Sequence, residues 1–202
     1  MMWTAIIPFR GSGRKSRLSS LLSSDQRRQF SLRMCEHVRD VLAACDDVED
    51  LVLLSDISLD GWEGQFVRDE GRGLNAELCQ WVGGRSSRPT LVLHADLPLL
   101  APSDLDILLA QAKEATCALA SDRHSTGTNA LALLDPTGFS FQFGHNSLTL
   151  HQQESGGRAR IVTTTGLAID IDTPADYELA CRTAPETMKF MSLEEDLADR
   201  RR

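Results

Sequence analysis

Residues 8–18 of this 202-residue chain read Pro8-Phe9-Arg10-Gly11-Ser12-Gly13-Arg14-Lys15-Ser16-Arg17-Leu18, directly after an apolar run at 3–7. The stretch gathers four cations in a chain of formal net charge −8. Mobile backbone N–H groups and cations at the C-terminal end of a strand suit phosphate oxygens. A solvated basic turn is the plainer alternative. The P-loop pattern G-x-x-x-x-G-K-[ST] is absent. Acids supply the opposite charge. Asp96 ends the apolar run Leu91-Val92-Leu93-His94 just before Pro98. A carboxylate there suits Mg²⁺, which takes one or two carboxylates and completes its shell with substrate phosphates and water; a turn cap before proline is the alternative. Asp170 and Asp172 stand two apart in Ala168-Ile169-Asp170-Ile171-Asp172-Thr173-Pro174. Read as a strand, that spacing puts both carboxylates on one side, where they repel unless a cation lies between them or one faces water. Asp172 could instead cap the helix entering at Pro174, and Asp176 reads as a structural first-turn acid favoured by the helix dipole.

Two glycine-bearing segments could hold the rest of a ligand. Arg72-Gly73-Leu74-Asn75 precedes a helical stretch. A glycine lets a base or ribose approach the backbone, and an asparagine amide both donates and accepts, as nucleobase edges require. A plain helix start is the alternative. Residues 122–129 are rich in hydroxyls and end at Thr128-Asn129, while Phe143-Gly144-His145-Asn146-Ser147 leads into a helix. Both could cradle a small anion through hydroxyl and backbone donors. The five histidines show no ligand spacing such as H-x-x-x-H, and G-x-S-x-G is missing, so neither zinc nor a serine nucleophile is indicated.

These residues need a frame. Residues 25–44 carry Phe30, Met34, Val38, Val41 and Leu42 on one helical stripe, with Ser23 or Ser24 as cap. Helices are also expected over 73–82, from Ser103 to about 114, over 147–154 and from Pro174, with Thr173 as the cap of the last. Strands are expected over 3–7, 48–54, 90–94, 116–120, 129–134, 159–163 and 167–171. The alternation predicts an α/β fold, a mostly parallel sheet covered on both faces, in one domain over 1–184 followed by a charged tail over 185–202.

An apolar share of 42% with 25% charged residues fits an ordinary soluble protein. The acidic balance argues against nucleic acid and anionic membranes as partners. Five scattered cysteines without a C-x-x-C pair fit a reducing compartment. No leader or membrane span is visible, so a cytoplasmic protein is expected, with exposed apolar positions leaving room for a homodimer.

The order of motifs narrows the reading. A basic P-x-R-x(4)-K-S-R-L loop, then R-G-L-N-A, A-D-L-P-L-L, G-T-G-T-N-A-L, F-G-x-x-S and D-I-D-T-P-x-D resembles the 2-phospho-L-lactate guanylyltransferases, the CofC-like branch of the MobA-like nucleotidyltransferases. The resemblance spans roughly residues 3–177. It implies a three-layer α/β/α fold of the nucleotide-diphospho-sugar transferase kind, with GTP as donor and Mg²⁺ as cofactor. The acceptor it implies is a small phosphorylated carboxylate (2-phospho-L-lactate, phosphoenolpyruvate or 3-phospho-D-glycerate), in deazaflavin coenzyme biosynthesis. Carried over by position, Lys15, Arg17 and Asp96 are the catalytic candidates. Pro8, Arg10, Lys15, Gly73 and Asn75 would hold the nucleotide, Thr128, Gly144 and Ser147 the acceptor, and Asp96, Asp170 and Asp172 the metal. Two alternatives stand beside it: a CTP-dependent or molybdopterin-related transferase of the same fold, and a nucleotide-binding regulator without catalysis.

Overall fold

The first apolar run becomes β1 (Trp3–Phe9), and its alternation sorts the two faces of the sheet. Ala5 and Ile7 face one layer of helices and Ile6 faces the other. In the computed structural model, which describes residues 1–11, 15–85 and 87–191, a 3-10 turn (Ser16–Leu18) leads to α1 (Ser24–Ala43). Next come β2 (Val48–Ser55), β3 (Gln65–Arg68), α2 (Leu74–Gly83), β4 (Thr90–Leu93) and α3 (Pro102–Ala115). The chain then forms β5 (Cys117–Ser121), β6 (Thr128–Leu133), α4 (Ser147–Glu154), β7 (Arg160–Val162), α5 (Thr165–Ala168), α6 (Pro174–Thr183) and α7 (Pro185–Met191).

One seven-stranded sheet results, ordered β3-β2-β1-β4-β6-β5-β7. Every neighbouring pair is parallel except the two that involve β6, so the mostly parallel expectation holds. Leu105, Leu108 and Ala112 of α3 and Val38 and Leu42 of α1 cover one face. Leu78 of α2 and Leu148 of α4 cover the other, against Val52, Val92, Leu119 and Leu131. Burying these leucines and valines stabilises the layers by about 1.5–3 kcal/mol per side chain. Among the described residues no helix is long and apolar enough to cross a membrane, and no disulfide joins the cysteines.

Four expectations change. Residues 167–171 are not a strand. Thr164 caps the single turn α5, accepting from the Leu167 N–H at 3.4 Å, and the chain then runs extended but unpaired. Gly166 permits this. A side chain there would collide with the Asp104 carboxylate and lie 2.6 Å from the Leu99 carbonyl oxygen. The cap of α3 is not Ser103 but the turn at Ala101, whose N–H donates to Asp104 Oδ2 at 2.7 Å ahead of Pro102. Strand β3 went unread because only Phe66 and Val67 of its four residues are apolar. Residues 185–191, assigned to the tail, form α7, with Met188 and Met191 buried beside Phe30 and Ile171. The remainder of that tail, 192–202, lies outside the described residues.

The tight fit at Gly166 gives a stability test. Gly166→Ala should lower the unfolding free energy by roughly 1–3 kcal/mol, the usual cost of overpacking, as read by urea denaturation. Wild-type stability in that variant would contradict the close approach.

Candidate active site

Because β6 runs antiparallel, its first residue lies at the same end of the sheet as the last residues of β1, β2, β4 and β5. The chemically interesting loops therefore meet there, as the sheet rule requires. A cavity of about 290 Å³ opens at this end, lined by Pro8, Arg10, Lys15, Asp69, His94 and Asp96 among others.

Lys15 is the centre of the charge arrangement. Its ammonium donates to Asp96 Oδ2 at 2.9 Å, Asp172 Oδ1 at 3.1 Å and the Ile171 carbonyl at 2.5 Å. The side chain is only 12% exposed. Burial alone would lower its pKa, but the charges and hydrogen bonds of Asp96 and Asp172 outweigh that and raise it. Burial likewise pushes Asp96 upward, and the Lys15 and His94 charges bring it below the ordinary carboxylate value. The basic loop is matched by acids at its start as well. The Gly11 N–H donates to Asp56 Oδ1 at 2.8 Å and Arg10 Nε to Asp69 Oδ2 at 3.2 Å. Ser12, Gly13 and Arg14 lie outside the described residues. Arg17 is exposed on the 3-10 turn, anchored next door by the buried Leu18.

The acids near the C-terminus reach this cluster from an unpaired segment rather than from a strand. Asp170 is held by Asn129 Nδ2 at 3.3 Å, and the same amide nitrogen donates to the Leu167 carbonyl at 2.9 Å. Burial, then the neighbouring Asp96 charge, raises Asp170 above the usual carboxylate range. Asp172 is fixed through its backbone: its N–H donates to Asp176 Oδ2 at 3.2 Å, which also accepts from Thr173 N and Oγ1. The other oxygen of Asp176 takes Nε and Nη2 of Arg123 at 3.0 and 2.5 Å. Asp176 is thus structural, as expected, but it also orients the Asp172 backbone.

A divalent cation needs carboxylate oxygens that nothing else occupies. Asp96 Oδ1 is buried and has no hydrogen-bond partner, as a hard oxygen awaiting a cation would be. No group of three or more His, Cys, Asp or Glu among the described residues is arranged around a common metal position. The cation between Asp96 and Asp172 here is the Lys15 ammonium.

The two glycine-bearing segments come together from opposite sides. Gly73 takes φ 94° ahead of α2, with open space where a side chain would project. The turn before it is held by buried Glu77, which accepts from the Glu70 and Arg72 N–H groups at 3.0 and 3.2 Å and from Arg72 Nη2 at 2.6 Å. Asn75 does not stand open for a base: its amide is paired with the backbone of Phe143. Thr128 and Ser147 are buried and touch, Thr128 N–H donating to Ser147 Oγ at 2.8 Å, and the Ser147 N–H donates to the Gly144 carbonyl at 3.2 Å. Gly144 is exposed at φ 125°. Sequence reasoning missed His151, buried against Thr128. Its place one helical turn after Ser147 was the available signal.

A cavity at the strand ends, beside a basic loop and an acidic cluster on an α/β/α sheet, fits a nucleotidyltransferase fold. Solved structures agree. A protein described as a nucleotide-diphospho-sugar transferase from Desulfovibrio desulfuricans superposes with a TM-score of 0.72 at 12% identity, covering 91% of this chain and 88% of that one. A nucleotidyl transferase from Methanothermobacter gives 0.68 at 16% identity, over 94% and 99%. The chain belongs to the guanylyl transferase CofC-like family, which matches residues 3–182. It is 36% identical over 197 residues to a phosphoenolpyruvate guanylyltransferase of Sphaerobacter thermophilus, covering 92% of this chain and 95% of the relative. A 2-phospho-L-lactate guanylyltransferase of Methanosarcina acetivorans is 32% identical over 179 residues, covering 85% and 83%.

The Arg123–Asp176 pair gives a pH-dependent expectation. Burial opposes the charge of Asp176, but the Thr173 and Arg123 hydrogen bonds hold its pKa below 3.8. A depressed carboxylate contributes stability above its unfolded pKa and loses it as pH falls through the folded one. Asp176→Asn should therefore cost on the order of 2 kcal/mol at neutral pH, the worth of charged hydrogen bonds. The gap from wild type should stay level between about pH 5 and 8 and close only in stronger acid, as followed by thermal unfolding. A gap that widens in acid would contradict the assignment.

Proposed function

We propose that this chain transfers GMP from GTP to a small phosphorylated carboxylate, with phosphoenolpyruvate the first acceptor to test, 2-phospho-L-lactate the second and 3-phospho-D-glycerate the third. The reaction would serve deazaflavin coenzyme biosynthesis. The observation that carries this reading is the cluster of Lys15, Asp96 and Asp172 at the cavity, with the Asp96 Oδ1 atom left without a partner. The names of the relatives support the donor and the acceptor class.

In the reaction, an oxygen of the acceptor phosphate attacks the α-phosphorus of GTP. The bond from that phosphorus to the bridging oxygen breaks, and pyrophosphate leaves with the electron pair. The product is a diphosphate ester joining guanosine to the acceptor. The acceptor phosphate is already ionised near neutral pH, so no protein base has to remove a proton. The difficulty is that two polyanions must meet. Lys15, Arg10 and Arg17 would bind the triphosphate, and their fixed charges meet the negative charge that grows on the leaving group. Arg10 and Lys15 now hold Asp69, Asp96 and Asp172, so phosphate oxygens would replace carboxylates as their partners. Pro8 and Gly73 would lie against the nucleoside. Gly144 and Ser147 would present backbone and hydroxyl donors to the acceptor, with Thr128 behind them. Asp96, Asp170 and Asp172 would hold Mg²⁺, which when bound neutralises phosphate charge and fixes the orientation of the oxygens it touches.

Pyrophosphate release with GTP, Mg²⁺ and each acceptor in turn tests the proposal. Release with one acceptor and none with CTP is the expected result. Release with CTP, or none with any acceptor from protein that binds GTP, would overturn it. Asp96→Asn should reduce turnover by at least about 10³-fold with the fold intact by circular dichroism, because it removes a ligand and a charge partner together. Near-wild-type rates at saturating Mg²⁺ would remove Asp96 from the site.

A further inference from the structure

The loop between β6 and α4 is gripped at two successive backbone amides, from opposite sides. The Gln142 N–H donates to His151 Nε2 at 2.9 Å, and the Phe143 N–H donates to Asn75 Oδ1 at 2.8 Å. Asn75 completes its side by donating Nδ2 to the Phe143 carbonyl at 3.0 Å. Since Nε2 of His151 accepts, the imidazole proton sits on Nδ1. That Nδ1–H donates to Thr128 Oγ1 at 3.1 Å, which leaves the threonine hydroxyl its own proton to donate elsewhere. Burial first, and then the His94 charge, pushes His151 down to about 4, so the imidazole is neutral at any ordinary assay pH. The Phe143 ring fills the space beside it, 4.8 Å from His151 and 5.3 Å from His94 between centroids.

What the grip controls comes next in the chain. Gly144 follows Phe143 directly, at φ 125°, and Asn146 then takes a left-handed φ of 56° before α4 begins. Asparagine takes that conformation more readily than most residues. Two anchors at 142 and 143, with the Ser147–Thr128 and Ser147–Gly144 bonds beyond them, hold the path of the loop on either side of it.

We propose that Asn75 and His151 are positioning residues for the acceptor: they clamp the Gln142–Phe143 backbone and so fix Gly144 and Ser147 where the acceptor's phosphate or carboxylate binds. The inference rests on the acceptor placement proposed above. It moves Asn75 from base recognition to the acceptor side. The α2 end beside the nucleotide cavity then holds the acceptor loop directly, which links the two substrate halves through one amide pair.

Steady-state kinetics with GTP and phosphoenolpyruvate varied separately test this, since a general structural role would not divide the two substrates. Asn75→Asp keeps the acceptor for the Phe143 N–H but sets a carboxylate oxygen against the Phe143 carbonyl. His151→Phe keeps the ring and removes both bonds. Each should raise the acceptor KM about tenfold, the effect of losing about 1.4 kcal/mol, while the GTP KM and the preference for GTP over ATP stay unchanged. His151→Gln, whose Oε1 can accept from Gln142, should recover part of the loss. A fall in GTP preference with the acceptor KM unchanged in Asn75→Asp would return Asn75 to the base and overturn the proposal. If His151→Phe does not fold, Asn75→Asp decides alone. Ser147→Ala is the control: an unchanged acceptor KM there would remove the acceptor placement itself, whereas a raised one with silent clamp variants would defeat only the clamp.

Discussion

One ammonium group organises this end of the molecule. Lys15 joins the first strand's loop to Asp96 after β4 and to the Ile171–Asp172 segment before α6. Segments far apart in sequence are thus tied by a single charge. Without that cation, Asp96, Asp170 and Asp172 would face one another unneutralised; Asp170 is raised even with it present, by burial first and by the Asp96 charge second. A buried ion pair of this kind is a poor source of net stability. In the proposed reaction the same carboxylates and the same ammonium would each take a different partner when phosphates arrive.

The rest of the fold serves to hold that cluster in place. The antiparallel β6 brings Thr128 and Asn129 to the strand ends where the basic loop already lies. Asn129 reaches under Asp170, and Arg123 reaches Asp176 to fix the backbone of Asp172. On the other side, Glu77 shapes the turn into Gly73, and Asn75 holds the loop that carries Gly144. Asn129, Glu77 and Asn75 are buried or half-buried and hydrogen-bonded, which is how a polar site stays rigid without large cost, while Arg123 acts from the exposed surface.

Much of this was legible in the chain. Glycine spacing beside four cations, an acid ending an apolar run and a Thr-Pro helix entry all carry local physical meaning, and they led to Lys15, Asp96 and Asp172. The helical stripe of α1 and the apolar strands were read correctly because burial on one or both faces leaves a periodic trace. The segment 167–171 was misread because its apolar residues suit a strand equally well. The single turn over Thr165–Ala168, with Gly166 pressed on Asp104 and Leu99, takes up its start, and the chain beyond runs extended outside the sheet. The spent amide of Asn75 is invisible for a related reason: a hydrogen bond between residues distant in sequence leaves no spacing to read, and His151 leaves only its place one helical turn after Ser147.

If Lys15 is the resident cation of the carboxylate cluster and gives that place up when nucleotide binds, its ammonium keeps a metal out until then. The most direct measurement is Mn²⁺ binding, followed by electron paramagnetic resonance without nucleotide, in wild type and in Lys15→Met. Tighter binding by about tenfold or more in the variant, the effect of removing a competing charge worth about 1.4 kcal/mol, is the predicted result. Equal or weaker binding in Lys15→Met would contradict it, because the ammonium would then not be standing where the metal must go.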